Sequence, residues 1–355
     1  MNNSFRDRIK SATPRAVSGN GKTLLAVGAT LALMAAFVQY RTRKAERDNP
    51  PVGRFIEVDG VRLHYTERGQ GQPLVLVHGN GTMLQDFDIS GVVDMASANY
   101  RVIVFDRPGF GYSERPRSHV WTPKAQAELL YKALQRLDIQ NPIVVGHSWG
   151  TLVAIELGLY QPHYMRSLVL LSGYYYPSVR LDVALAAQPA IPLIGDLMRF
   201  TVSPLIGRMM WPLVLRKLFG PAEVPRRFAR FPVWMSLRPS QLRASAAESA
   251  LMIPAAFRLR HRYQELSMPV TIMCGENDRL ISAEHNSVRL HEALPESDLR
   301  LAPGAGHMVH HLVPQQVMAA IDSANRAGDP DADTASARQQ RAVSRHWIAG
   351  ARKGS

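Results

Sequence analysis

The stretch VVGHSWGTL, residues 144–152, decides how the chain is read. Val144, Val145, Gly146 and His147 lead to Ser148, and Trp149, Gly150, Thr151 and Leu152 carry the chain away. Gly-x-Ser-x-Gly between a buried apolar strand and a helix is the setting of a nucleophile elbow, a sharp turn that exposes a serine hydroxyl. The bland alternative is a structural serine in a tight turn. What separates them is whether the remaining sequence supplies a base, an acid and an oxyanion site.

Working outward, the pattern is strands alternating with helices. RFIEV (54–58) and VRLHYTE (61–67) flank Asp59-Gly60, a strong hairpin signal. PLVLVHG (73–79), RVIVFD (101–106), PIVVGH (142–147), SLVLLSG (167–173) and PVTIMCG (269–275) are continuous apolar runs, as strands buried on both faces require. Helical stretches such as 122–138 and 149–161 lie between them. An antiparallel pair followed by such alternation predicts an α/β fold, a mostly parallel central sheet with helices on both faces. That core spans 54–173 and 267–326. The alternation breaks over 174–266, rich in Pro, Met, Trp and Arg, which reads as a helical cap inserted over the strand ends.

A serine hydroxyl is a weak nucleophile until a neighbouring base accepts its proton. Of twelve histidines, His307 follows the short strand DLRLAP (298–303) in a glycine-rich loop, at the strand end where open α/β sheets place their sites. His310 and His311 lie one turn on and read as packed or solvent-facing, and His147 as a strand-end neighbour pointing away from Ser148. A base needs a partner to fix its tautomer. Asp278, in CGENDRLIS after the strand ending at Cys274, suits that role, with Glu276 as competitor. For the oxyanion, one backbone N–H is expected from Trp149 and another from Asn80 in HGNGTM (78–83). His78 and Gly79 shape that loop; whether the Asn80 side chain also orients substrate stays open.

Composition narrows the class. Hydrophobic residues make up 46% and charged residues 20%, ordinary for a globular fold, and the single cysteine, Cys274, excludes an internal disulfide. The net charge of +13 is uneven: 1–54 carries +7, 175–265 carries +8, and 325–355 carries +3. Charge confined to tails and one insert, with no matching motif, argues against nucleic-acid binding and fits an anionic membrane surface better. TLLAVGATLALMAAFVQY, residues 23–40, holds no charge, and its 18 residues just suffice to cross a hydrocarbon core. It reads as a single transmembrane anchor after a basic tail (1–22) and before a linker (41–53). The competing reading, a cleaved signal peptide, lacks a clean small-x-small site. Five basic residues on each side leave orientation open. The tail 327–355 is small, polar and charged.

HGNG, then DRPGFGYS (106–113), GHSWG, GENDRL and GAGHM together resemble the α/β-hydrolase superfamily. The nearest likeness is to its capped group of epoxide hydrolases, haloalkane dehalogenases, cofactor-free haloperoxidases and small esterases. Members that open epoxides or displace halide carry Asp at the elbow, where this chain has Ser148, which speaks against both activities. The resemblance implies a serine hydrolase acting on an ester or related acyl compound through Ser148, His307 and Asp278, without metal or organic cofactor; the apolar runs of the cap point to a lipophilic substrate, or else only bury the cap against the core. Perhydrolysis, acyl transfer and a catalytically silent binding scaffold are the alternatives. Asp106 and Arg107 match a loop that is usually architectural in the family.

Overall fold

The computed structural model describes residues 19–179 and 186–329, so most of both expected tails lies outside the described residues. Asp59 and Gly60 take left-handed φ of 51° and 73°, as a two-residue hairpin turn demands. Strands β1 (Arg54–Val58) and β2 (Val61–Arg68) pair antiparallel across it. The remaining strands are β3 (Gln72–Val77), β4 (Tyr100–Phe105), β5 (Ile143–His147), β6 (Ser167–Leu171), β7 (Val270–Gly275) and β8 (Asp298–Ala302). They form one sheet in the order β1-β2-β4-β3-β5-β6-β7-β8, parallel from β4 to β8.

Strands β5, β6 and β7 are buried at every residue, which accounts for their unbroken apolar runs. On one face pack the helices Pro123–Arg136 and Trp149–Tyr160, burying Leu130, Leu134, Leu152 and Ile155. The first of these starts where the Thr122 hydroxyl accepts the Ala125 N–H at 3.1 Å, with Pro123 in its first turn. Val92–Ala96 and Pro314–Ala327 cover the other face through Val93, Val317 and Ile321. Because β5, β7 and β8 run parallel with β6 between them, the segments after them emerge at the same end of the sheet, beyond the strands' C-termini. Ser148, Asp278 and His307 all lie in those segments.

Between β6 and β7 the chain forms the helices Ile194–Phe200, Val202–Phe219 and Pro239–Leu259. Several large apolar side chains there stay uncovered, among them Leu193 (83% exposed) and Met209 (72%).

The N-terminal helix runs Gly19–Asp48, 30 residues or about 45 Å. The expected linker from 41 is therefore helical as far as Asp48. Arg, Lys, Ala and Glu are good helix formers, Lys44 pairs with Asp48 at 2.9 Å one turn on, and Ala45 is buried. This end rests on the insert: Phe37 meets Trp234 edge-on at 6.1 Å, and the Arg41 guanidinium sits 4.4 Å over the Trp234 ring. Toward its start Leu24, Leu25 and Leu33 are bare, and the helix is long and apolar enough to cross a membrane. Arg238 locks the junction, donating to Glu46 Oε1 at 3.0 Å and to the carbonyls of Met235 and Gly111. Arg238→Ala is expected to lower unfolding stability by about 2 kcal/mol, since Glu46 stays half in water while Gly111 O loses its buried donor. Chemical denaturation of the two proteins measures it; an unchanged midpoint contradicts it.

Candidate active site

Ser148 follows β5 directly and has φ 52° and ψ −120°, a conformation costly for a residue with a Cβ. The turn is possible because its neighbours lack side chains. A Cβ on Gly150 would stand 2.2 Å from Val77 O, and one on Gly146 would stand 2.6 Å from Gly150 O. The Ser148 N–H donates to Leu171 O at 2.9 Å, tying the turn to β6. Trp149 opens the next helix, where the first N–H groups have no intrahelical acceptor.

His307 is 2% exposed, and its Nδ1 lies 2.7 Å from Asp278 Oδ2. Asp278 is fixed in turn: its Oδ1 accepts the N–H groups of Leu280 at 2.7 Å and Ile281 at 2.9 Å. Glu276, the sequence competitor, is exposed. The backbone N–H of His307 donates to Leu218 O at 2.8 Å, so the end of helix Val202–Phe219 holds this loop. Ser148, Trp149, His307, Gly79 and Asn80 share the wall of one cavity of about 210 Å³. Leu152, Leu218, Met252, Ile281 and Met308 make much of the rest of that wall apolar.

The Asn80 side chain turns to the insert, donating through Nδ2 to Ser245 O at 3.1 Å and Ser249 Oγ at 3.3 Å; its Oδ1 is buried with no partner among the described residues. The loop that carries it is held from beneath by Arg107. Arg107 donates Nε to His78 O and Nη2 to Gly79 O, each at 2.8 Å, and reaches Gln126 Oε1 at 3.0 Å and Glu248 Oε2 at 3.0 Å. The peptide between Gly79 and Asn80 is planar and trans, so a Gly79 carbonyl turned toward Arg107 sends the Asn80 N–H the opposite way. His78 completes the prop by accepting the Arg107 N–H at Nε2, 3.0 Å, with Nδ1 donating to Gly79 O at 2.8 Å. Asp106 is architectural, accepting the N–H groups of Leu84 at 2.8 Å and Tyr112 at 3.0 Å.

One sequence expectation needs correction. His147 does not point away from the site: it lines the cavity, its ring centroid lies 5.0 Å from that of His307, and its Nε2 is 3.2 Å from His307 O. The loop carrying His307 folds back over the end of β5, a contact that chain spacing does not reveal. Behind it His310 and His311 are fully packed, engaging the two oxygens of Asp86 at 3.2 and 2.8 Å. Asp86, His310 and His311 bring three metal-type donor atoms within 4.8 Å of one another, but both carboxylate oxygens are already taken up by the imidazoles. Sequence reading missed Asp86, Arg107's partner Glu248, and the serines of helix Pro239–Leu259.

A family model described as the alpha/beta hydrolase fold matches residues 72–314. An uncharacterised hydrolase of Bacillus subtilis is 28% identical over 280 residues, 75% of this chain and 95% of that protein. A 2-hydroxy-6-oxo-2,4-heptadienoate hydrolase of Pseudomonas putida is 25% identical over 271 residues, covering 74% and 91%. Among solved structures, a bacterial membrane phospholipase A superimposes with a TM-score of 0.59 at 21% identity, over 85% of this chain and 96% of that one. That last likeness speaks to fold alone.

Buried histidines make the body acid-sensitive. Burial, then the Arg107 charge, pushes His78 down to about 3. Burial and then His310 push His311 down to about 4, and burial first of all holds His147 well below its ordinary value. In the unfolded chain each takes up a proton near pH 6.5, while the folded protein does not until much lower. Stability is therefore full above that pH and falls as pH drops toward 4, by about 1.4 kcal/mol per unit for each such histidine. Urea unfolding at pH 7, 6 and 5 is expected to show this slope, shallower by about one proton in His311→Gln. Equal stability at the three pH values contradicts it.

Proposed function

Because the chain belongs to the alpha/beta hydrolase fold family, we propose that it is a membrane-anchored serine hydrolase cleaving a lipophilic ester or related acyl compound. The observation that carries this reading is the 2.7 Å His307–Asp278 pair on the wall of the cavity that also contains Ser148. With Nδ1 engaged by Asp278, His307 keeps Nε2 to take the Ser148 proton as the oxygen attacks the acyl carbon. Asp278 stabilises the resulting imidazolium, which then protonates the leaving alcohol. The tetrahedral oxyanion is met by the N–H groups of Trp149 and Asn80, the second aimed by Arg107 through the Gly79 carbonyl. Water deprotonated by His307 attacks the acyl-enzyme, and the carboxylate product leaves with Ser148 restored.

The insert acts as a cap in this reading. Its Leu218, Ser249 and Met252 close the cavity over Ser148, and the apolar wall favours an acyl chain over a charged group. Membrane anchoring is supported by the bare apolar half of the N-terminal helix and by the uncovered apolar side chains of the insert.

A panel of esters with graded acyl length tests the assignment. Ser148→Ala is expected to lose at least about 10⁴-fold in kcat, and Asp278→Asn about as much through the wrong His307 tautomer. A fluorophosphonate probe labels wild type and spares Ser148→Ala. Equal hydrolysis by wild type and Ser148→Ala would refute the proposal.

A further inference from the structure

A second concavity lies where the loop after β4 meets the insert, away from Ser148. Its wall includes Arg115, Arg117, Arg199 and Arg243, together with Pro239 and Ser240 from the first turn of helix Pro239–Leu259. Its volume is about 470 Å³, against about 210 Å³ for the cavity at Ser148.

The carboxylates nearby do not balance these charges. Asp196 pairs with Arg117 at 2.9 Å and also with Arg199, so one anion serves two cations. Glu248 lies 3.7 Å from Arg115 but is committed to Arg107 and Gln126. Glu114, on the same wall, turns to Arg62 and accepts its backbone N–H at 3.2 Å. Arg243 has a carbonyl for a partner, donating Nη2 to Arg115 O at 3.0 Å, and no carboxylate within ion-pair distance among the described residues. Arg199 is only 3% exposed; its Nη1 donates to Pro189 O at 2.6 Å, and its Nε has no partner among the described residues.

The helix beneath adds to the excess. Its N-cap, Arg238, offers no side-chain acceptor, and its first turn holds no acidic residue, so the positive end of the helix dipole is uncompensated. Burial pushes Arg115 down to about 10, and burial with neighbouring arginines lowers Arg243. Both remain charged at neutral pH. Concentrated, partly dehydrated positive charge of this kind stands ready for an anion.

We propose that this concavity binds a phosphoryl group, with Arg117, Arg199 and Arg243 and the first turn of helix Pro239–Leu259 as its donors. Guanidinium groups converging from several elements match the several oxygens of a tetrahedral anion better than the two of a carboxylate. The phosphoryl group has two possible sources, the phosphodiester of a lipid headgroup or free phosphate. Phe200 on the wall, with Ile194 and Leu197 bare on the same helix, gives a lipid an apolar surface beside its headgroup.

The test uses the full chain in nonionic detergent and reads binding, so it stands whether or not Ser148 is a nucleophile. Calorimetric titration is run with inorganic phosphate and with a short-chain diether phosphatidylglycerol, which cannot be hydrolysed, each against chloride at matched ionic strength. Saturable binding is expected, weakened at least tenfold in Arg243→Gln and several-fold in Arg117→Gln. Arg117 is exposed, so its variant keeps the measurement valid should Arg243→Gln fold poorly. Tighter binding of the diether lipid identifies a headgroup site, and tighter binding of phosphate identifies a free-anion site. No binding above the chloride control, or wild-type affinity in the folded variants, overturns the proposal.

Discussion

The buried pair between Arg107 and Glu248 is the contact on which the site's geometry depends. Arg107 is 3% exposed and Glu248 fully buried, and two charges so placed are tolerable only when hydrogen bonds saturate them. Here saturation does structural work in three directions at once. Arg107 holds the His78 and Gly79 carbonyls, Gln126 brings in the helix on the sheet's face, and Glu248 belongs to the insert. Sheet edge, covering helix and insert therefore share one rigid junction beside Ser148. Removing either charge would leave the other stranded in a dry interior, and the loop beside the serine would lose its orientation with it.

Much of this was legible because the physics involved is local. Continuous apolar runs mark strands covered on both faces, Asp59-Gly60 marks a turn that needs positive φ, and glycines bracket a serine where backbones nearly touch. Ser148, Asp278 and His307 could be named from their places just after strands. What stayed hidden depends on contacts between distant segments. His147 gains its neighbour His307 by the folding back of a loop 160 residues away, and Asp86 meets His310 and His311 across 224 and 225 residues of chain. Helix Pro239–Leu259 carries prolines at 239 and 254 and so lacks the uninterrupted pattern that announces a helix. The stretch 41–53 reads as a linker between anchor and core, yet packing against the insert keeps it helical as far as Asp48.

Helix Pro239–Leu259 links the two concavities. Its first turn faces the arginine cluster, and Ser245 and Ser249, further along, hold Asn80. A stiff rod with one concavity at its first turn and the other beside its midpoint transmits small displacements along its axis, since packed interiors are poorly compressible. Glu248 lies on the same rod, so any shift of the helix reaches the loop beside Ser148 through Arg107 as well.

The unbroken N-terminal helix has a mechanical consequence. With no joint between its apolar half and the region clamped by Trp234 and Arg238, whatever medium grips the first half also dictates the attitude of the whole body. The tilt of the body then follows the tilt of that helix.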